Sequence, residues 1–163
     1  MADIIVILGS TSDEEAVRSS KMFEVLDEVG VSWTAAAISA HRNPEELRDY
    51  CLSSGGKVFI GVAGMSAALP GAIAAIVKER PVIGVALASD VLDGMDALLS
   101  IVRMPPGVSV SCTGIGSAGL RNAAIQACQI IALGDKGVKS GLTVYLESNK
   151  REPVYNLEGK GGS

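Results

Sequence analysis

The chain has 163 residues, 48% of them hydrophobic and 20% charged, with 14 basic against 18 acidic side chains and a net charge of −4. That length suits one domain, and an acidic balance without any basic block removes the electrostatic basis for holding a nucleic-acid backbone. A mean hydropathy of +0.35 is more apolar than a monomer of this size needs, which points to faces covered by other subunits.

Ile4 to Leu8 is a β-branched run ending at Gly9, the pattern of a strand buried on both faces of a parallel sheet. Ser12-Asp13-Glu14-Glu15 reads as a capping box opening a helix, with Ala16, Phe23, Leu26 and Val29 on its apolar stripe and Gly30 at its end. Val31 to Ile38 forms the second strand, and Asn43-Pro44-Glu45-Glu46 caps and opens the second helix. Val58 to Val62 is the third strand, and Pro70-Gly71 opens an alanine-rich helix reaching about Lys78. Pro81 to Leu87 is the fourth strand, followed by a helix around Asp93 to Val102. After the Pro105-Pro106-Gly107 turn, Val108 to Thr113 is the fifth strand, with helices over about Ser117 to Leu133 and Lys136 to Asn149.

These units predict a single α/β domain over residues 1–151. It is a three-layer α/β/α arrangement around a doubly wound, flavodoxin-like parallel sheet of about five strands in order 2-1-3-4-5, with an extra C-terminal helix. Residues 152–163, with a proline and three glycines, are expected to form a loosely held tail. The stretch from Val58 to Val77 is about as long as a membrane span, but Gly61, Gly64, Pro70 and Gly71 divide it, so no membrane partner is expected. Cys51, Cys112 and Cys128 form neither a CxxC pair nor a Cys/His metal set and read as small buried apolar residues. Met1-Ala2-Asp3 leads directly into the first strand without the features of a signal peptide; with the free cysteines this predicts a cytoplasmic location.

In a sheet of this order, ligands bind beyond the C-terminal strand ends where the winding reverses. The polar chemistry of the chain collects in the loops that border this crevice: Gly9 to Asp13, Ser39 to Pro44, and Gly64 to Gly71. Hydroxyls and free N–H groups at a helix start suit a phosphate, and the Asp13 carboxylate suits sugar hydroxyls. His41, the chain's single histidine, has a side chain that ordinarily titrates at about 6.5 and lies at a strand end, which makes it the candidate proton carrier. Arg42 offers a planar cationic fork for phosphate, its plainer reading being a surface ion pair with Glu45 or Glu46. Gly114-Ile115-Gly116-Ser117-Ala118-Gly119 matches GxGxxG, but no strand follows to carry a ribose-binding acid, so a tight turn with close helix packing is the better reading.

Gly-Ser-Thr-Ser-Asp at Gly9 to Asp13, Ser-Ala-His-Arg at Ser39 to Arg42 and Ala-Leu-Pro-Gly at Ala68 to Gly71 resemble the active-site motifs of the PurE family. Ser100 to Pro105 and Gly116 to Ala124 resemble its later segments in the same order. The resemblance implies formation of 4-carboxy-5-aminoimidazole ribonucleotide (CAIR) in purine biosynthesis. The carboxylate would be moved within N5-CAIR by a mutase, or added directly from carbon dioxide to aminoimidazole ribonucleotide (AIR) by a carboxylase. It implies no cofactor, no metal, and a homo-octamer with active sites at subunit contacts. Carried over by position, His41 is the catalytic residue. Ser10, Asp13, Ser39 and Arg42, with Gly64, Ser66, Ala68 and Leu69 of the third loop, are substrate-binding.

The third loop departs from both branches. Ala68 stands where the mutase motif has histidine, Met65 stands where it has glycine, and the arginine and asparagine of the carbon-dioxide-using branch are absent. The mutase reading is preferred because its acid–base histidine is present; a non-catalytic ribonucleotide-binding paralogue is the alternative that Ala68 motivates.

Overall fold

The structure, a computed structural model, describes residues 1–89 and 92–149. Five parallel strands, Ile4–Leu8 (β1), Trp33–Ala37 (β2), Val58–Ala63 (β3), Val82–Ala86 (β4) and Ser111–Ile115 (β5), form one sheet in the order β2-β1-β3-β4-β5. The helices are Glu14–Ser19 (α1), Met22–Val29 (α2), Pro44–Ser53 (α3), Leu69–Val77 (α4), Met95–Val102 (α5), Gly116–Ala132 (α6) and Lys136–Ser148 (α7). This is the expected flavodoxin-like, doubly wound sheet with one further helix at its C-terminal end. The proposed tail at 152–163 lies outside the described residues.

β1, β3 and β4 are buried along their whole length, as β-branched runs covered on both faces should be. Successive side chains alternate between two cores. Ile4, Val6 and Leu8 join Val25 and Leu26 of α2 and Ala123 and Ala127 of α6, whereas Ile5 and Ile7 join Leu47, Ile73 and Ile101 of α3, α4 and α5. The Val58 to Val77 stretch is β3, a turn and α4; among the described residues no helix is long and apolar enough to cross a membrane.

Local details differ from the sequence expectations, each for a physical reason. The helix start at Ser12 is instead capped by Ser10, whose extended backbone lets its hydroxyl accept the Ser12 N–H at 3.2 Å, and a 3-10 turn over Thr11–Asp13 precedes α1. The single expected helix is broken at Lys21, at φ +66°. Ser20 is buried at the break, donating to the Val17 carbonyl at 2.6 Å and accepting the Met22 N–H at 3.2 Å. Breaking the helix rotates the apolar stripe to Val17, Met22, Val25, Leu26 and Val29, leaving Ala16 exposed. Asn43 makes no side-chain cap on α3; its backbone N–H is held by the Ser39 carbonyl instead.

β5 begins later than its valines suggest. Val110 packs over Gly84, and Val108 and Val110 join the core before the ladder starts, so burial rather than pairing accounts for their apolar character. The glycine motif is a close-packing device, as the sequence indicated: Gly114 and Gly116 take φ +117° and +62°, and a Cβ on Gly119 would lie 2.7 Å from the Gly114 carbonyl. Cys51 and Cys128 are buried, and burial pushes each thiol up to about 11; Cys112 is only half-buried.

Candidate active site

Leu8, the last residue of β1, pairs with Ala37 on one side and Val62 on the other. With neighbouring strands about 4.8 Å apart, the loops leaving β1, β2 and β3 open side by side on one edge. Backbone bonds tie their roots together: the Ile38 N–H donates to the Leu8 carbonyl and the Gly9 N–H to the Val62 carbonyl, both at 2.9 Å. This convergence holds the candidate polar residues on a common rim.

In the first loop Ser10 is committed to the turn, its hydroxyl accepting both the Ser12 N–H and the Ser12 hydroxyl, the latter at 2.8 Å. Asp13 folds back under Gly9, with its Oδ2 3.8 Å from where a Gly9 Cβ would stand and Ala63 3.5 Å from the same point. Residue 9 thus sits in ordinary contact with both the first and the third loops. Burial raises the Asp13 carboxyl above its ordinary value, and hydrogen bonds from the Ser10 backbone and the Ser12 side chain oppose that rise.

In the second loop the Asn43 N–H closes onto the Ser39 carbonyl at 2.9 Å and the Arg42 N–H onto the Ser39 hydroxyl at 3.3 Å. His41 is at the exposed tip of that closed turn. Arg42 is also exposed, and among the described residues it forms no ion pair with Glu45 or Glu46.

In the third loop the Ala67 N–H donates to the Gly64 carbonyl at 3.1 Å. Ser66 and Ala68 are exposed, whereas Leu69 is 2% exposed and packs in the core, so only its backbone can face a ligand. The loop is seated on a glycine pair, of which the sequence marked Gly61 only as a break in an apolar run and did not mark Gly84. Gly61 and Gly84 are register partners in β3 and β4, and Pro70 at the start of α4 lies over both.

A model of the AIR carboxylase family matches residues 3–152. The chain belongs to that family. It is 42% identical over 154 residues to an N5-carboxyaminoimidazole ribonucleotide mutase of Vibrio parahaemolyticus, covering 93% of this chain and 94% of that one. It is 41% identical over 157 residues to a protein of the same name from Methanocaldococcus jannaschii, covering 96% of each. Among solved structures, PurE of Treponema denticola superposes with a TM-score of 0.75 at 31% identity, covering 90% of both chains. The family resemblance read from the loop motifs is thereby established over nearly the whole chain.

Proposed function

We propose that the chain forms CAIR by N5-CAIR mutase chemistry, with His41 carrying the proton. The observation that carries the reading is the family match over residues 3–152, with curated relatives at 41–42% identity named for that reaction. The common rim of the three loops supports the assignment of roles. Arg42, with the hydroxyls of Ser10 and Ser39, suits the phosphate; Asp13 suits the ribose; and backbone and small side chains at Gly64, Ser66, Ala68 and Leu69 suit the base.

In this chemistry the N–C bond to the carboxyl group breaks, carbon dioxide leaves, and the ring's exocyclic nitrogen takes up a proton. The ring carbon then bonds to the carbon dioxide and becomes tetrahedral. Loss of its proton restores the aromatic ring. The proton taken up in the first step equals the proton released in the last, so one imidazole that donates and then accepts closes the cycle. His41, exposed on the loop that leaves β2 next to β1, supports this assignment.

The same reading places the protein in the cytoplasm as a homo-octamer with sites at subunit contacts. Supporting the assembly, Leu92 and the α5 residues Met95, Leu99 and Val102, spaced to share one helix face, are each about half exposed. Sedimentation of the purified chain measures the assembly directly.

Direct carboxylation is the second reading, and a non-catalytic ribonucleotide-binding paralogue is the one that Ala68 in place of the motif histidine motivates. A paired assay decides: N5-CAIR alone against AIR with bicarbonate and carbon dioxide. CAIR from the first supports the mutase. CAIR from the second alone shows a carboxylase, and no product from either shows a binding paralogue.

A further inference from the structure

At the opposite end of the sheet from the three loops, a cavity of about 330 Å³ opens between the end of α4 and the start of β5. Its polar lining comes from Lys78, Glu79, Arg80, Ser109 and Ser111, and its floor from the buried Ala74 and Val82. That volume is within the range of small-molecule pockets. β4 begins beside the cavity at Val82 and reaches the loop edge at Ala86, so about 16 Å of strand separates this cavity from the ribonucleotide rim. Lys78 ends α4 at φ +43° and ψ −58°, and the Glu79 N–H donates to the Val77 carbonyl at 2.5 Å. This is a γ-turn of the uncommon, strained hand, which glycine would adopt at lower cost than lysine. The turn brings a cation, an anion and a second cation to one cavity wall. Among the described residues neither Lys78 nor Arg80 is paired with a carboxylate, and the Arg80 guanidinium lies 5.9 Å from the centre of the Phe59 ring. The Ser111 hydroxyl is held only by long bonds, 3.4 Å to the Val82 carbonyl and 3.5 Å to the Gln126 side chain.

We propose that this cavity binds a free α-amino acid, with the ligand's carboxylate held by Lys78 and Arg80 and its ammonium by Glu79 and the carbonyl end of α4. The charge pattern selects a zwitterion. Two cations suit one carboxylate, whereas the Glu79 carboxylate and the negative pole at the end of α4 would oppose a phosphate dianion and attract an ammonium. The Ser109 and Ser111 hydroxyls can donate to the one group and accept from the other. Ala74 and Val82 leave an apolar floor for the ligand's side chain.

The test uses the full chain with the standard L-amino acids and inorganic phosphate as probes, each at up to about 10 mM, first by thermal shift and then by titration calorimetry. At least one amino acid should raise the thermal midpoint and bind at one site per chain. Lys78→Gly and Glu79→Gln should each weaken that binding about fivefold, the effect of removing one partner from a solvent-accessible ion pair. Glu79→Gln should at the same time bind phosphate more tightly than wild type, because it removes the opposing carboxylate. Without ligand, Lys78→Gly should melt at or above wild type, since glycine relieves the turn, and this separates lost binding from lost folding. Three results would each overturn the proposal: no amino acid bound at the highest concentration, unchanged amino-acid affinity in both variants, or phosphate bound more tightly than every amino acid by the wild-type chain.

Discussion

Gly61 and Gly84 face each other across β3 and β4, and Pro70 fills the space their side chains would take. A Cβ on Gly61 would stand 3.1 Å from the Pro70 Cα, and one on Gly84 would stand 2.5 Å from Ile101 Cγ2 and 3.2 Å from Pro70 Cβ. The flat patch lets α4 start close to the sheet and so sets the height of the third loop. Gly84→Ala should destabilise the fold by about 1–3 kcal/mol through overpacking. At this chain length each kcal/mol lowers the thermal midpoint by roughly 2–4 °C. Because the loop moves with α4, CAIR formation should fall further than the loss of folded protein explains. Calorimetry alongside the donor assay checks both.

His41→Asn keeps a hydrogen-bonding side chain on the exposed turn but cannot carry a proton. Turnover should drop by about 10²–10⁴-fold, the range for a lost general acid–base group, with CAIR affinity nearly unchanged. Titration calorimetry with CAIR separates this from a folding defect. Full activity in the variant would remove His41 from the mechanism.

Asp13→Asn is expected to move stability and ribonucleotide binding in opposite directions. Its carboxyl is raised above the ordinary 3.8 chiefly by burial, so the folded state holds that proton more tightly than the unfolded chain. The resulting stabilisation is complete below the unfolded value and is lost as pH rises through the folded value. At neutral pH the ionised carboxylate is therefore a burden on the fold. Asp13→Asn should raise the thermal midpoint at pH 7, the gain shrinking as the wild-type carboxyl protonates in acid, while KM for the ribonucleotide rises. A pH series of melting curves for both proteins tests the sign.

Asp3 behaves in the opposite way at the far end of the sheet. Lys57 donates to it at 2.6 Å and Ser32 at 2.7 Å, and these bonds, led by Lys57, hold its carboxyl below 3.8. The stabilisation is present above the unfolded value and disappears as pH falls through the folded one. Asp3→Asn should melt below wild type at pH 7, and the two curves should converge in strong acid.

Burial of Cys51 and Cys128, with thiols pushed up to about 11, predicts that neither reacts with iodoacetamide in the native protein. Half-buried Cys112 should label first, and all three should label in denaturant. Peptide mass mapping distinguishes these patterns.

Much of this molecule was legible in one dimension because the signals are local. A β-branched run such as Ile4 to Leu8 needs cover on both faces wherever it sits, and glycine and proline divide Val58 to Val77 whatever surrounds it. The order of strands and helices, the three polar loops and the family motifs all follow from such short-range patterns. What only the tertiary structure decided depends on which atoms meet. The hydroxyl of Ser10 rather than Ser12 caps the turn, Ser20 breaks a helix that periodicity joined, and Val110 buries itself on Gly84 before its strand begins. Leu69 turns into the core, and Met65 is left outside in a left-handed backbone because Gly64 and Ala67 are pinned on either side. The Ser10 and Ser20 bonds span only two or three residues, where hydroxyl caps compete with the helix pattern, whereas packing between residues far apart in the chain sets Val110 on Gly84 and turns Leu69 into the core.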